Sequence, residues 1–495
     1  MPSLFSAATF FRKRHPATEC ETGPALNKVL SAWDLTLLGV GAIIGTGIFV
    51  LTGVAAATQA GPAVVLSFVV SGIACAFAAL AYAELSASVG GCGSAYGYSY
   101  AAFGEFIAWI IGWDLVLEYG VSVAAVANGW SGYLKRGLAS LDMPIPDALT
   151  KGPFAMKSEM VNGLMTDLPD PGIVNLPAVL IILALMVMLI IGVKQSARLN
   201  AAMVFIKLLT IAVFLFVAGK TVFGDLDAAK ALWTPFMPFG WFDTLEGGKT
   251  VGVLAGASLV FFAYVGFDAV STAVEESRNP QKDVPIGILA SLVFCTIIYI
   301  VVSGLLTGVV KYDTLNTSSP VADALSAIGF KAGAALVSTG VIAGLTTVML
   351  VLYYGLTRII FAMSRDGLLP PSMGEVNAKT RTPVRTTVIC GVVMAVMAGF
   401  IPLGKLAELV NIGTLAAFVL VCGGVIMLRV RQPNLARPFK TPGGLIVPIL
   451  GVLSCGALVA FLPLETHLRF ILWLAAGLVI YFAYGIRHSA LNKAG

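Results

Sequence analysis

Twelve times along its 495 residues this chain runs for roughly twenty positions with scarcely a charge, and such runs leave few folds open to it. At about 1.5 Å per residue, each run spans the ~30 Å hydrocarbon core of a bilayer as one helix. Soluble domains carry about 25% charged residues; here the fraction is 12%, with 58% hydrophobic residues and a mean hydropathy of +0.91. A water-soluble core has no room for that much apolar surface. Turn residues between the runs predict helices over about 34–58, 62–88, 101–134, 174–193, 200–219, 249–273, 286–310, 334–363, 384–402, 405–428, 445–463 and 468–487, here numbered spans 1 to 12. The expected fold class is an all-α polytopic membrane protein.

An even number of spans puts both chain ends on one side, and the basic residues choose the side. With the ends in the cytoplasm, 18 Lys and Arg fall in cytoplasmic segments and 11 outside, while Lys207 and Arg358 lie within helices. That bias predicts both termini inside a cell membrane. Arg12, Lys13 and Arg14 precede no long apolar stretch with a cleavage site before Ser31, so no removable signal peptide is expected. The net charge of +5 is spread through loops and forms no patch for nucleic acid. Loops 135–173 and 220–248 contain Pro and Gly, are expected outside, and are too short to fold independently. The seven cysteines, Cys20, Cys75, Cys92, Cys295, Cys390, Cys422 and Cys455, lack ligand spacing and read as packing residues, so neither a metal site nor a disulfide framework is expected.

Span 1 is the unusual one. Between Leu38 and Gly53 its sequence, LGVGAIIGTGIFVLTG, places glycines at 39, 41, 45, 47 and 53. Each weakens a helix by about 1 kcal/mol relative to alanine, so the helix unwinds most readily at Gly45-Thr46-Gly47. Small residues at four-residue spacing also suit close packing against a neighbouring helix, and that reading stands beside the first. Five spans later GVLAGASLVFFAYVGFD (252–268) carries Gly256 and Gly266 around an aromatic segment. Interrupted spans at corresponding places in two halves point to a binding site between inverted repeats. Unwinding in span 1 bares N–H groups for an anion such as a carboxylate, and unwinding in span 6 bares carbonyls for an ammonium. A zwitterion fits that pair.

The segments GAIIGTGIFVLTG (41–53), GSAYGYSY (93–100), GVKQSARLN (192–200), FFAYVGFDAVSTAVEESRNPQKDVPIGI (261–288), RIIFAMSRDGLLP (358–370) and RPFKTPGGLIVPILGVLSC (437–455) resemble the cationic amino acid transporter family of the amino acid–polyamine–organocation (APC) superfamily, in a bacterial-type member. The likeness runs from about Leu26 to His488. It implies a leucine-transporter-type fold, a 5+5 inverted repeat plus two extra helices. A cytoplasmic segment (1–30) would precede a first repeat (31–219), a second (249–428), two additional helices (429–487) and a cytoplasmic tail (488–495). It further implies alternating access, with the substrate carboxylate on the backbone of Ile43, Thr46 and Gly47, and the amino group on carbonyls of Phe262, Ala263 and Val265. The ring of Phe262 would be a lid or, alternatively, plain helix packing.

Lys207, about 10 Å into span 5, either snorkels to the cytoplasmic interface or, as the resemblance implies, places its ammonium where sodium sits in sodium-coupled relatives, against span 1 near Gly41. The second reading makes a proton the driving ion, since the charge on Lys207 would then set the geometry of the binding helix. Glu118 is mid-span and so expensive that it should face the bundle interior, as a proton carrier, a cation selector or a protonated partner for another polar side chain. Glu105 and Asp114 are expected at a wetted interface. Asp268, Glu275 and Glu276 are expected to meet Arg or Lys at a cytoplasmic gate. Span 8 faces the side-chain pocket in the family, and here offers Met349, Leu352 and Tyr353. That wall suits alanine-like neutral side chains, whereas the family name suggests cationic ones.

Proton, amino acid and membrane lipid are therefore the expected partners, with a monomer sufficient for transport and no cofactor. A channel is the rival from another class, but neither a charge series along one span nor ring-forming repeats appear. An enzyme is disfavoured: His15, His467 and His488 are neither paired at metal spacing nor mid-span, and no nucleophile sits beside a base. An amino acid exchanger without ion coupling is the closest alternative.

Overall fold

A computed structural model describes residues 28–89, 95–161, 164–191, 197–245, 250–378, 380 and 382–492, without the side chains of 157–161, 164–167, 197–200 and 275. Expectations placed on residues 1–27, Cys20, Cys92, Lys194, the side chain of Glu275 and residues 493–495 lie outside it.

All twelve spans form. Span 1 begins at Ala32 because Ser31 caps it reciprocally: its hydroxyl accepts from the Asp34 amide at 3.3 Å while the Asp34 carboxylate accepts from the Ser31 amide at 2.9 Å. This helix ends at Ile43, and helical winding resumes through Gly47–Leu51, Thr52–Ala55 and Ala56–Ala60. Spans 2 to 5 are Val64–Ser88, Glu105–Ala139, Leu176–Ile191 and Ala197–Gly224. Span 6 is again divided, into Val253–Val260, the tighter turn Phe261–Tyr264 and Phe267–Glu276. Spans 7 to 11 are Pro280–Val309, Lys331–Arg365, Val384–Phe400, Leu403–Arg431 and Ile446–Ala460. Span 12, Leu464–Ile480, continues through Tyr481–Gly485 to Ile486–His488.

Two departures from expectation have simple causes. Span 7 starts at Pro280, six residues before the predicted 286, with Pro285 inside it. A proline at the first helical position removes an N–H that has no intrahelical partner anyway, so Asn279-Pro280 starts this helix where Pro285 had suggested a boundary. The connecting segments also hold structure too short to show as apolar runs: an antiparallel hairpin, Met156–Val161 with Leu164–Pro169, and the helices Ala95–Ala102, Leu226–Leu232 and Pro320–Ala327.

Burial ranks the spans from centre to edge. In the most apolar stretch of span 6, 94% of residues are buried, and in span 3, 78%; for spans 5 and 12 the shares are 33% and 28%. Span 6 is therefore central, and the exposed faces of spans 5 and 12, with Phe216 and Leu472, are apolar surface for lipid. Polar side chains tie the centre to its surroundings. Ser67 and Ser71 of span 2 donate to the carbonyls of Val253 and Ala257 at 2.8 and 2.7 Å, and the Asn411 amide of span 10 donates to those of Ser258 and Leu259 at 2.7 and 3.1 Å. Glu84, buried at the end of span 2, accepts two N–H groups of Arg429 and the amide of Thr441, at 2.9, 2.5 and 2.8 Å. Charge this deep survives because it is paired. At the mouth of span 1 the amides of Val29 and Leu30 donate to the Glu276 carbonyl at 3.0 and 2.9 Å, and Arg278 N–H returns a bond to Leu30 at 2.8 Å. The start of span 1 and the end of span 6 are thus laced together.

Candidate functional site

The two interruptions meet. In span 1 the regular helix stops at Ile44, whose backbone is extended (φ −72°, ψ 97°), and Thr46 is already helical again. Unwinding is therefore centred on Ile44-Gly45, one residue earlier than the glycine pair suggested. Among the described residues no protein acceptor meets the amides of Gly45, Thr46 and Gly47. In span 6 the break falls at Val265, extended at φ −57° and ψ 131°, and Gly266, at φ +116°. That positive φ is where only glycine rests without strain.

Contact between the breaks is direct. A Cβ on Gly47 would fall 2.2 Å from the Ala263 Cα, and one on Gly266 would come within 3.0 Å of the Ala42 carbonyl group. Gly39 serves packing as well, since its Cβ would meet the Ser291 hydroxyl of span 7 at 2.5 Å. Gly45 differs: the nearest atoms to a Cβ there are the Val348 methyls at 3.8 Å.

Around this crossing the structure places the other predicted residues as follows. Thr46 is fully buried against Gly129 of span 3, and its hydroxyl has no hydrogen-bond partner among the described residues. Ile43, Ala263, Phe262 and Val265 are all buried. The Phe262 carbonyl accepts from the Val265 amide at 3.3 Å, and that of Ala263 from the Tyr299 hydroxyl at 2.8 Å. Leu352 is buried on span 8, one turn beyond Val348, which faces Gly45, and one turn before Leu356, which lies 3.7 Å from where a Gly120 Cβ would be. It therefore looks toward spans 1 and 3. Tyr353 does not share that wall: its hydroxyl donates to the Thr387 carbonyl of span 9 and its ring end abuts Gly391.

Lys207 is 1% exposed, so its stem does not reach the interface. It runs past Gly344 of span 8, where a Cβ would come within 2.7 Å of its Cγ, and the ammonium donates to the Gly41 carbonyl at 2.7 Å. One cation thus holds the last turn of span 1 before the break. Glu118 is also buried, with its Oε1 unpartnered among the described residues, as are Oδ1 of Asp114, one turn away, and Oδ1 of Asp268. The neighbouring Tyr119 donates to the other Asp268 oxygen at 3.2 Å.

Two expectations are corrected here. Glu105 and Asp114 are 0% and 2% exposed and do not lie at a wetted interface; Glu105 is drawn inward by donors, accepting from Tyr481 at 3.1 Å and Ser489 at 2.5 Å. Asp268 meets a phenol rather than Arg or Lys, because it falls only two residues past the break, deep in the bundle, while Glu276 at the mouth engages span 1 through its backbone.

Sequence reasoning missed Tyr299 of span 7 and Tyr133 of span 3. The first donates to Ile43 and Ala263 at 2.9 and 2.8 Å; the second donates to Phe49 at 2.8 Å. A phenol in mid-span needs a partner for its hydroxyl, and that was the signal available in the apolar run of span 7.

A twelve-span helical bundle whose first and sixth spans are both interrupted and cross in the buried centre belongs to the multi-pass membrane transporters. More particularly, the chain is a member of the amino acid permease family, whose profile, described as amino acid permease, matches residues 30–483. Among its relatives, the branched-chain amino acid permease BcaP of Bacillus subtilis is 47% identical over 470 residues, covering 95% of each chain. A methylthioribose transporter of the same organism is 46% identical over 95% of this chain and 96% of its own. Human cationic amino acid transporter 4 is 35% identical over 90% of this chain and 66% of its own length.

Proposed function

We propose that this protein carries small neutral or branched-chain L-amino acids across the membrane by alternating access, driven by a proton. The observation that carries the reading is the crossing itself: three amides without acceptors among the described residues, at Gly45, Thr46 and Gly47, packed against an unwound stretch of span 6 that offers carbonyls. The amides and the Thr46 hydroxyl take the α-carboxylate with Ile43 beside them. Carbonyls of Phe262, Ala263 and Val265 take the ammonium. Leu352 and Met349 face the side chain, which favours aliphatic substrates over cationic ones, in keeping with the likeness to a branched-chain permease. Two five-helix repeats, 31–219 and 249–428, rock about this point with both termini cytoplasmic.

Lys207 and Glu118 are the proton-coupling groups in this reading. The bond from Lys207 to Gly41 is charge-assisted while the lysine is protonated and weaker once it is neutral, so loss of its charge loosens the first half of span 1. Glu118, whose Oε1 has no hydrogen-bond partner among the described residues, is the second group that takes up a proton. The methylthioribose-transporting relative favours a second reading, in which the same amides meet hydroxyls of a neutral thiosugar.

Counterflow in proteoliposomes with labelled alanine, leucine, arginine and methylthioribose, with and without an inward proton gradient, tests both. Alanine and leucine are expected to exchange, and the gradient to drive their accumulation. In Lys207→Met accumulation falls to background while counterflow persists in part. Exchange of methylthioribose alone overturns the amino acid assignment, and gradient-driven accumulation unchanged in Lys207→Met overturns the coupling role.

A further inference from the structure

The carbonyls of Ile43 and Ala263 belong one to each broken helix, and both are buried. Ile43 is the last helical residue of the inner half of span 1, and Ala263 lies in the turn just before the break of span 6. A single group serves both: the Tyr299 hydroxyl stands 2.9 Å from one oxygen and 2.8 Å from the other. A phenol carries one proton, so it donates fully to only one carbonyl at a time. The ring cannot swing aside. Phe68 and Tyr264 pack on it with centroids 5.4 Å away, and Tyr264 is itself fixed by a 2.8 Å bond from its hydroxyl to the Phe68 carbonyl.

We infer that Tyr299 is a positioning residue that holds the two broken helices in register in the empty carrier and releases the Ala263 carbonyl to the substrate ammonium, turning its proton wholly to Ile43. This rests on the amino acid reading above. An ammonium makes a stronger, charge-assisted bond than a phenol does, so the exchange favours the loaded state. When the substrate leaves, the hydroxyl satisfies the vacated carbonyl again. Without it, the empty carrier keeps buried acceptors unpaired as it reorients, which is costly in an apolar interior. Tyr299 therefore matters most for the half of the cycle that runs unloaded.

Counterflow needs only the loaded carrier to move, whereas net uptake also needs the empty one to return. In Tyr299→Phe, net uptake of alanine is expected to fall about tenfold further than counterflow does, the equivalent of one buried carbonyl left without a donor. Alanine is also expected to raise the melting temperature of the purified variant more than that of the wild type, because the ammonium no longer competes with a phenol. Replacing Tyr299 by meta-fluorotyrosine, the same shape with a more acidic hydroxyl, is expected to weaken alanine binding several-fold, and it keeps the test open should the phenylalanine variant fold poorly. Equal losses of net uptake and counterflow in Tyr299→Phe, or unchanged alanine affinity in the fluorinated protein, overturn the inference. Wild-type protein that exchanges no amino acid at all overturns instead the reading on which it rests.

Discussion

The two interrupted spans reach the same place by opposite means. Span 1 breaks where nothing crowds it: a Cβ on Gly45 would make only ordinary contacts, its φ is not in the positive range, and its amide and the two that follow meet no acceptor among the described residues. Span 6 breaks under constraint, with Gly266 at φ +116° and pressed on Ala42. Two of its carbonyls, moreover, those of Phe262 and Ala263, already accept from Val265 and Tyr299. One break is an open set of donors and the other a fixed frame of acceptors. The difference teaches that the anion end of the site is preformed, while the cation end must be released from internal bonds. Span 1 is also the break held from its first half, by the Lys207 ammonium and by the mouth strap from Val29 and Leu30.

If the frame is set by contact between the breaks, adding one methyl at the contact should be the most damaging change. Gly47→Ala places a Cβ 2.2 Å from the backbone of Ala263, with no flexible side chain to yield. Overpacking of this kind costs about 1–3 kcal/mol or more, and counterflow is expected at background level with a lowered melting temperature. Near-normal counterflow in this variant would mean that the breaks are not in contact during transport. Next in size is Gly266→Ala. Its cost is chiefly conformational, about 1–3 kcal/mol for a side chain held in a sparsely populated backbone region, and counterflow is expected to fall about tenfold.

Much of this was legible in the sequence, for a physical reason. A bilayer imposes one length on every span, so runs 62–88, 334–363 and 405–428 were found within a few residues of the helices that form. The breaks were legible because glycines cluster there in otherwise apolar runs, and Lys207 because a lone charge in such a run has few places to go. What stayed hidden depends on distance in space rather than along the chain. Nothing in the spacing of residues places the Tyr299 hydroxyl between Ile43 and Ala263, turns Tyr353 toward span 9, or draws Glu105 under the carboxy-terminal turn at Ser489. The helices Leu226–Leu232 and Pro320–Ala327 escaped because they are shorter than a span and carry charges.

Gly45→Ala gives the smallest effect and the sharpest comparison. The new methyl meets only the Val348 methyls at an ordinary 3.8 Å, and the backbone there is one an alanine can adopt. Replacing glycine at such a position stabilises a fold by about 0.4–1 kcal/mol through the unfolded chain, so the melting temperature should hold or rise. Alanine also favours helix over glycine by about 1 kcal/mol, which draws the break toward rewinding and hides the amides of residues 45–47. Substrate affinity is therefore expected to weaken about fivefold at unchanged or improved stability, read as the apparent affinity in counterflow beside the thermal unfolding curve. A Gly45→Ala protein as inactive and unstable as Gly47→Ala would show span 1 to be a packed frame like span 6, and the contrast between the two breaks would fall.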